Sequence, residues 1–184
     1  MQFQLLDADY IVNGRPILRL FGRTEKGNAI CAIYDNFLPY FYVQPNEKTT
    51  AKLEELGIAF EETEKFIPIG YRKKPTRLLK ITLLNPHDVP KIREQIEPHC
   101  TAIFESDILF KYRFMVDHGL RGMSWIDIES EYANSKNITV PVQYIKSIKP
   151  IEKPMNVPLK YLAFDIECLP EDPRRAPDSK QDKI

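Results

Sequence analysis

The feature that most constrains this chain is a succession of short strand-forming runs separated by turn residues. Residues 3–12 alternate in polarity and are rich in β-formers; Asn13-Gly14 follows, a pair that tolerates positive φ and so marks a hairpin. Ile17 to Phe21 supplies the return strand, Lys26-Gly27-Asn28 the next turn, and Ala29 to Tyr34 a third strand. The chain is expected to open as an antiparallel β-meander.

From Pro39 the rhythm changes. Pro39 to Val43 reads as an aromatic strand. Asn46 is positioned to cap a helix with Ala51, Leu53 and Leu56 on one face and Gly57 at its end. Ile58 to Ile69 and Thr76 to Leu84 read as strands joined by a turn over 70–75. Asp88 is positioned to cap a helix carrying Val89, Ile92 and Ile96, Pro98 ends it, and Cys100 to Phe104 closes the set. The predicted fold class is α+β: a meander, then a ferredoxin-like β-α-β-β-α-β unit of the kind RNA-recognition domains use. Asp107 to His118 is expected to form a short helix or turn with its aromatic side inward. Residues 121–139 read as a loop. Pro141, Pro150, Pro154 and Pro158 suggest an extended connector over 141–158, because proline fixes φ and removes a ladder donor. The polar, proline-containing tail lacks the apolar surface to order itself.

Composition excludes several classes. The 184 residues include 26 basic and 26 acidic side chains, so any nucleic-acid surface must be a local patch. Cys31, Cys100 and Cys168 have no paired spacing, which argues against a disulfide framework or a zinc site and for a reducing interior. His87, His99 and His118 are not spaced as metal ligands. The opening MQFQLLDADY carries no signal-peptide pattern, and no apolar run approaches the roughly 20 residues that span a bilayer. A cytoplasmic protein without membrane partners is expected.

Tyr161-Leu162-Ala163-Phe164-Asp165-Ile166-Glu167 reads as a buried strand ending in two carboxylates. On a strand, Asp165 and Glu167 project to one side and can hold Mg²⁺ or Mn²⁺ against a phosphate. A strand that simply ends in solvated acids has the same pattern. Asp127-Ile128-Glu129 repeats the tripeptide and, lying among polar residues, is expected on a surface loop. The stretch Tyr71-Arg72-Lys73-Lys74-Pro75-Thr76-Arg77 is cationic with an aromatic edge, suited to a phosphate backbone or simply to solvent.

The heptad 161–167 resembles the first exonuclease motif of archaeal family B DNA polymerases. Upstream, Leu6-Asp7-Ala8-Asp9-Tyr10, Arg19-Leu20-Phe21, Phe37 to Tyr42, Asn85 to Arg93 and Phe104 to Ile108 are similar to that family in order and approximate spacing. The resemblance implies an N-terminal template-binding domain (1–140), a connector (141–158) and the start of a 3′–5′ exonuclease domain (159–184), with the remaining exonuclease and polymerase carboxylates farther along a longer protein. It implies that Asp165 and Glu167 are exonuclease and metal-binding residues of an incomplete site, that this segment alone is inactive, and that the full-length enzyme uses Mg²⁺ or Mn²⁺, primer-template DNA, deoxynucleoside triphosphates and a sliding clamp. It also implies a pocket that captures deaminated bases, above all uracil, in single-stranded template. The matching positions are Tyr10, Pro39, Tyr40, Val89, Pro90, Ile108, Phe110 and Arg113. Ser106 and Leu109 depart from the family, where Tyr and Pro are common. Taken singly, Tyr10, Val89 and Phe110 are also ordinary core residues and Arg113 an ordinary ion-pairing one. Two other readings stay open: a single-stranded nucleic-acid binding module without base sensing, and a purely structural domain.

Overall fold

The structure, a computed structural model, describes the chain except residues 69, 136, 137, 166–169, 171–173, 175–177 and 179–184. The opening strands are β1 (Gln2–Asn13), β2 (Arg15–Thr24) and β3 (Ala29–Tyr34). Then come β4 (Tyr40–Pro45), α1 (Thr49–Glu55), β5 (Phe60–Lys65), β6 (Thr76–Thr82), α2 (Val89–Ile96) and β7 (Cys100–Phe104). The chain continues through α3 (Phe110–Asp117), β8 (Trp125–Ala133) and β9 (Val142–Ile151).

The expected meander forms, but as part of a closed barrel in the order β1-β2-β3-β9-β8. Gly14, at φ +72°, turns β1 into β2, and Gly27, at φ +78°, turns β2 toward β3. A bulge between Leu5 and Asp7 shifts the inward face of β1 from Phe3 and Leu5 to Ala8 and Tyr10, so that one strand pairs β8 at its start and β2 along its length. β2 passes β1 closely at Gly22, where a Cβ would sit 2.2 Å from the Gln4 carbonyl oxygen and 2.5 Å from Phe3 Cδ2. Because one neighbour is backbone, Gly22→Ala is expected to destabilise the barrel by about 1–3 kcal/mol, read as a lower urea midpoint at unchanged m.

Two expectations are overturned here. The polar stretch 121–139 contains β8, and the loop expected at Asp127-Ile128-Glu129 is barrel wall, with Ile126 and Ile128 buried inside. The connector expected over 141–158 is β9 for most of its length. β9 runs antiparallel to β8 and parallel to β3, and Pro150 lies beyond the β3 pairing, opposite Ile126 of β8. The chain then crosses the barrel: Trp125 Nε1 donates to the Met155 carbonyl (2.7 Å) and Val157 N donates to Gln4 Oε1 (2.9 Å).

Residues 40–104 form a β-α-β-β-α-β unit with sheet order β5-β6-β4-β7, all neighbours antiparallel. Alternation explains its two faces. Phe41, Val43, Leu79 and Ile81 pack against Leu53 of α1 and Ile96 of α2, while Tyr40, Tyr42, Leu78 and Phe104 occupy the other side. The helix starts differ from expectation: the Asn46 side chain accepts from Lys48 N one turn before α1, and Asn85, not Asp88, caps the turn leading into α2 by accepting from His87 N. α3 joins the two sheets, with Phe110 and Phe114, four residues apart on one helical face, in the barrel core.

The strand expected at 159–166 does not form over its described part. Residues 159–165 have no strand pairing, and Tyr161, Leu162 and Phe164 are 85%, 85% and 78% exposed. Apolar character creates a need for burial but supplies no partner strand. Among the described residues, no helix is long and apolar enough to cross a membrane.

Candidate functional site

A cleft of about 260 Å³ opens where the end of the barrel meets α2 and the loop from β7 to α3. Tyr10 of β1, Pro39 and Tyr40 at the start of β4, Val89 and Pro90 of α2, Ile108 of the loop, and Phe110 and Arg113 of α3 all line it. Side chains spread over more than a hundred positions of sequence thus converge on one opening. Pro86, Arg93, Glu105, Ser106, Asp107 and Leu109 complete the lining. Of these, Ser106 and Leu109 stand out beforehand only as departures from a family pattern. Glu105 carries a signal in its conformation, a non-glycine residue at φ +63°, that the sequence does not reveal.

The walls are rigid for identifiable reasons. Tyr10 packs edge-on to Phe110, with ring centroids 5.1 Å apart, and Phe37 braces Phe110 from behind at 5.5 Å. Three prolines, Pro39, Pro86 and Pro90, fix φ at three points of the rim. Val89 and Pro90 open α2, and proline is suited to the first turn of a helix because its missing N–H has no intrahelical acceptor to lose. At the start of α3, Tyr112 N and Arg113 N donate to the Leu109 carbonyl (2.9 and 3.0 Å), whereas the amides of Phe110 and Lys111 precede the first intrahelical acceptor and face the wall at Phe110.

Charge is concentrated on one side. Arg113 is buried; its Nη2 donates to Glu105 Oε2 (2.5 Å), and its Nη1 lies 3.9 Å from Asp117 Oδ1. Burial opposes the Arg113 charge, but Glu105, Tyr40 and Asp117 together raise its pKa. Its Nε, buried, has no hydrogen-bond partner. The guanidinium stacks over the Tyr40 ring at 4.9 Å, and Tyr40 Oη donates to Asp117 Oδ2 (2.5 Å).

Burial, then the hydrogen bond to Asp117, raises the Tyr40 phenol well above its ordinary value of about 10, with Arg113 opposing. A raised phenol pKa favours the neutral form in the folded state, so this stabilisation is complete below about pH 10 and is lost as pH rises through the folded value. Tyr40→Phe is therefore expected to flatten the decline of stability above about pH 10, measured by urea unfolding across alkaline pH.

Asp165 does not line the cleft. Asp165 is exposed and off any strand, and Glu167 lies outside the described residues. Among the described residues no group of three or more His, Cys, Asp or Glu side chains is arranged to hold a metal. Burial pushes the Cys31 thiol up to about 11, the mark of a packed rather than a reactive cysteine.

Comparison with known proteins assigns the lineage. Residues 101–184 match the family described as DNA polymerase family B, exonuclease domain. A DNA polymerase of Pyrococcus horikoshii is 35% identical over 147 residues, covering 70% of this chain and 12% of that protein. The DNA polymerase delta catalytic subunit of Dictyostelium discoideum is 27% identical over 225 residues, covering 90% of this chain and 20% of its own length. The solved family B DNA polymerase of Pyrobaculum calidifontis superposes with a TM-score of 0.80 at 30% identity, over 99% of this chain and 24% of that one. The chain belongs to the family B DNA polymerases. It spans a fifth or less of the length of these two sequence relatives. In this family B segment, the match from residue 101 onward includes β8 and β9, which the structure joins to β1 and β3 in one barrel.

Proposed function

We propose that this segment is the template-side N-terminal region of a DNA-directed DNA polymerase and that its cleft captures deaminated bases, above all uracil, in single-stranded template. The convergence of Tyr10, Pro39, Tyr40, Val89, Pro90, Ile108, Phe110 and Arg113 on one small opening carries this reading. Clefts for drug-sized ligands run from about 300 to 1,000 Å³, so about 260 Å³ suits a single base. Uracil differs from thymine by lacking the C5 methyl. A wall of valine, proline and tyrosine that cannot relax rejects that methyl by overpacking, at a cost of about 1–3 kcal/mol. Backbone amides beside the wall suit the carbonyl oxygens of the base, and unstacking it costs little in single-stranded DNA.

The whole protein's chemistry extends the same reading: nucleotidyl transfer from deoxynucleoside triphosphates onto primer-template DNA, 3′–5′ proofreading with Asp165 and Glu167 as two of several carboxylates around Mg²⁺ or Mn²⁺, and docking on a sliding clamp, in the cytoplasm. The start of an exonuclease domain at 159 belongs to this proposal, as does the reading of the β-α-β-β-α-β unit as ferredoxin-like, which its sheet order supports.

The alternative of a stacking platform without base sensing needs exposed rings on the open sheet face. Tyr42 is buried there, packed with Ile67 and Leu78, and Lys65 lies 4.3 Å over its ring. Fluorescence titration with single strands carrying one uracil, or thymine at the same position, tests the proposal. Tighter binding of the uracil strand is expected, and equal affinities contradict it.

A further inference from the structure

The hairpin joining β5 to β6 carries three consecutive cations without an ion-pair partner among the described residues. Arg72, Lys73 and Lys74 are exposed beside Tyr71, which is 91% exposed. Elsewhere on the hairpin the charges are matched: Arg77 is paired with Glu62, and Lys80 Nζ lies 2.7 Å from Glu61 Oε1. Arg72, Lys73 and Lys74 have no carboxylate partner among the described residues, and Glu64 alone of the β5 carboxylates is left to offset them and Lys65. In a chain with zero net charge, this is a local concentration rather than a bulk property.

The hairpin is also continuous with the cleft. Tyr40, which lines the cleft, is approached by Lys80 at 4.8 Å; Tyr40 packs edge-on against Tyr42 at 5.6 Å; and Lys65, over Tyr42, ends β5 at the start of the hairpin loop. The path follows β6 from Thr82, the partner of Tyr40, back to Thr76, roughly 20 Å at the usual strand rise.

We infer that this face is a phosphate track: a single DNA strand with one base in the cleft lays its backbone past Lys65 and reaches Arg72, Lys73 and Lys74 at the hairpin tip, with Tyr71 available to stack a base. The inference rests on the reading of the cleft as a base-binding site for its direction, but its energetics are separate. The cleft discriminates between bases, whereas the tip contributes salt-sensitive affinity indifferent to sequence.

The test substitutes Arg72, Lys73 and Lys74 together by Ala in the full chain and titrates uracil and thymine strands of about 12 nucleotides from about 50 to 200 mM salt. With three phosphate contacts at about 0.7 each, the slope of log affinity against log salt is expected to fall by about 2, and affinity for both strands roughly tenfold, with their ratio unchanged. Because the tip is exposed, the urea midpoint of the variant is expected to match that of the unaltered chain. Unchanged affinity and slope would overturn the track. So would an equal loss of binding to polyglutamate, which would make the tip a general acidic-partner site. Loss of affinity in a protein that does not distinguish the two strands at all keeps the track and removes the base-sensing cleft. A retained uracil preference with no loss at the tip does the reverse.

Discussion

Replacing Val89 by Gln is expected to abolish the preference for uracil over thymine. Val89 stands on the cleft rim at the start of α2, beside Pro90 and across from Ile108. Its branched side chain is stiff at χ1, so it cannot swing aside for a C5 methyl. Gln is longer, flexible and polar. It fills the opening and presents an amide that competes for the hydrogen-bonding edge of the base. Excluding one methyl is worth roughly 10–200-fold, and that ratio is expected to collapse to about 1. The loss must fall on the uracil strand, with thymine-strand affinity little changed, because phosphate contacts lie elsewhere. Paired titrations of the two strands against the variant measure it, and a preference that survives the substitution removes Val89 from the discriminating wall.

Phe114→Ala is expected to cost about 3–5 kcal/mol of stability. Phe114 is fully buried and packs against Phe37 at 5.3 Å, Tyr34 at 5.5 Å and His118 at 4.1 Å between ring centroids. This cluster pins α3 to the barrel, and α3 carries Phe110 and Arg113 into the cleft. The cavity left behind cannot collapse easily, since its walls belong both to a closed barrel and to a helix tied by Arg113 to Glu105. Urea denaturation followed by circular dichroism reads the loss, and binding of the uracil strand is expected to weaken in the same variant as the cleft wall loosens. A midpoint shift equivalent to less than about 1 kcal/mol would mean that α3 is held by other contacts.

Local chemistry made much of this fold legible. Asn13-Gly14 and Lys26-Gly27-Asn28 mark turns because glycine alone adopts their positive φ freely, and Gly14 and Gly27 do so here. The alternation of Phe41 and Val43 with Tyr40 and Tyr42 foretells a strand with two different faces, and the helices following it end and begin near their glycine and proline signals. Barrel closure was not legible, because it depends on pairing residues more than a hundred positions apart. Ile126-Asp127-Ile128-Glu129 carries a strand period, but its polar surroundings conceal it. In β9 the apolar positions Val142, Ile145, Ile148 and Ile151 recur every three residues; the register shift opposite Glu129 and Ser130 breaks strict alternation. The opposite error arises at Tyr161 to Phe164, where an apolar run suggests a buried strand and the side chains lie exposed. The site divides the same way. Eight of its fourteen lining residues follow from family resemblance rather than from periodicity, while Glu105 and Asp107 join them only through the conformation of the loop before α3.

The most direct test of the base-capture account is amide chemical-shift mapping of the full chain with a short single strand carrying one central uracil. Shifts are expected to concentrate at Tyr10, Val89, Ile108 and Phe110 and to be much smaller there with the thymine strand. Perturbations confined to residues 71–77, with the cleft amides unmoved by either strand, would contradict it.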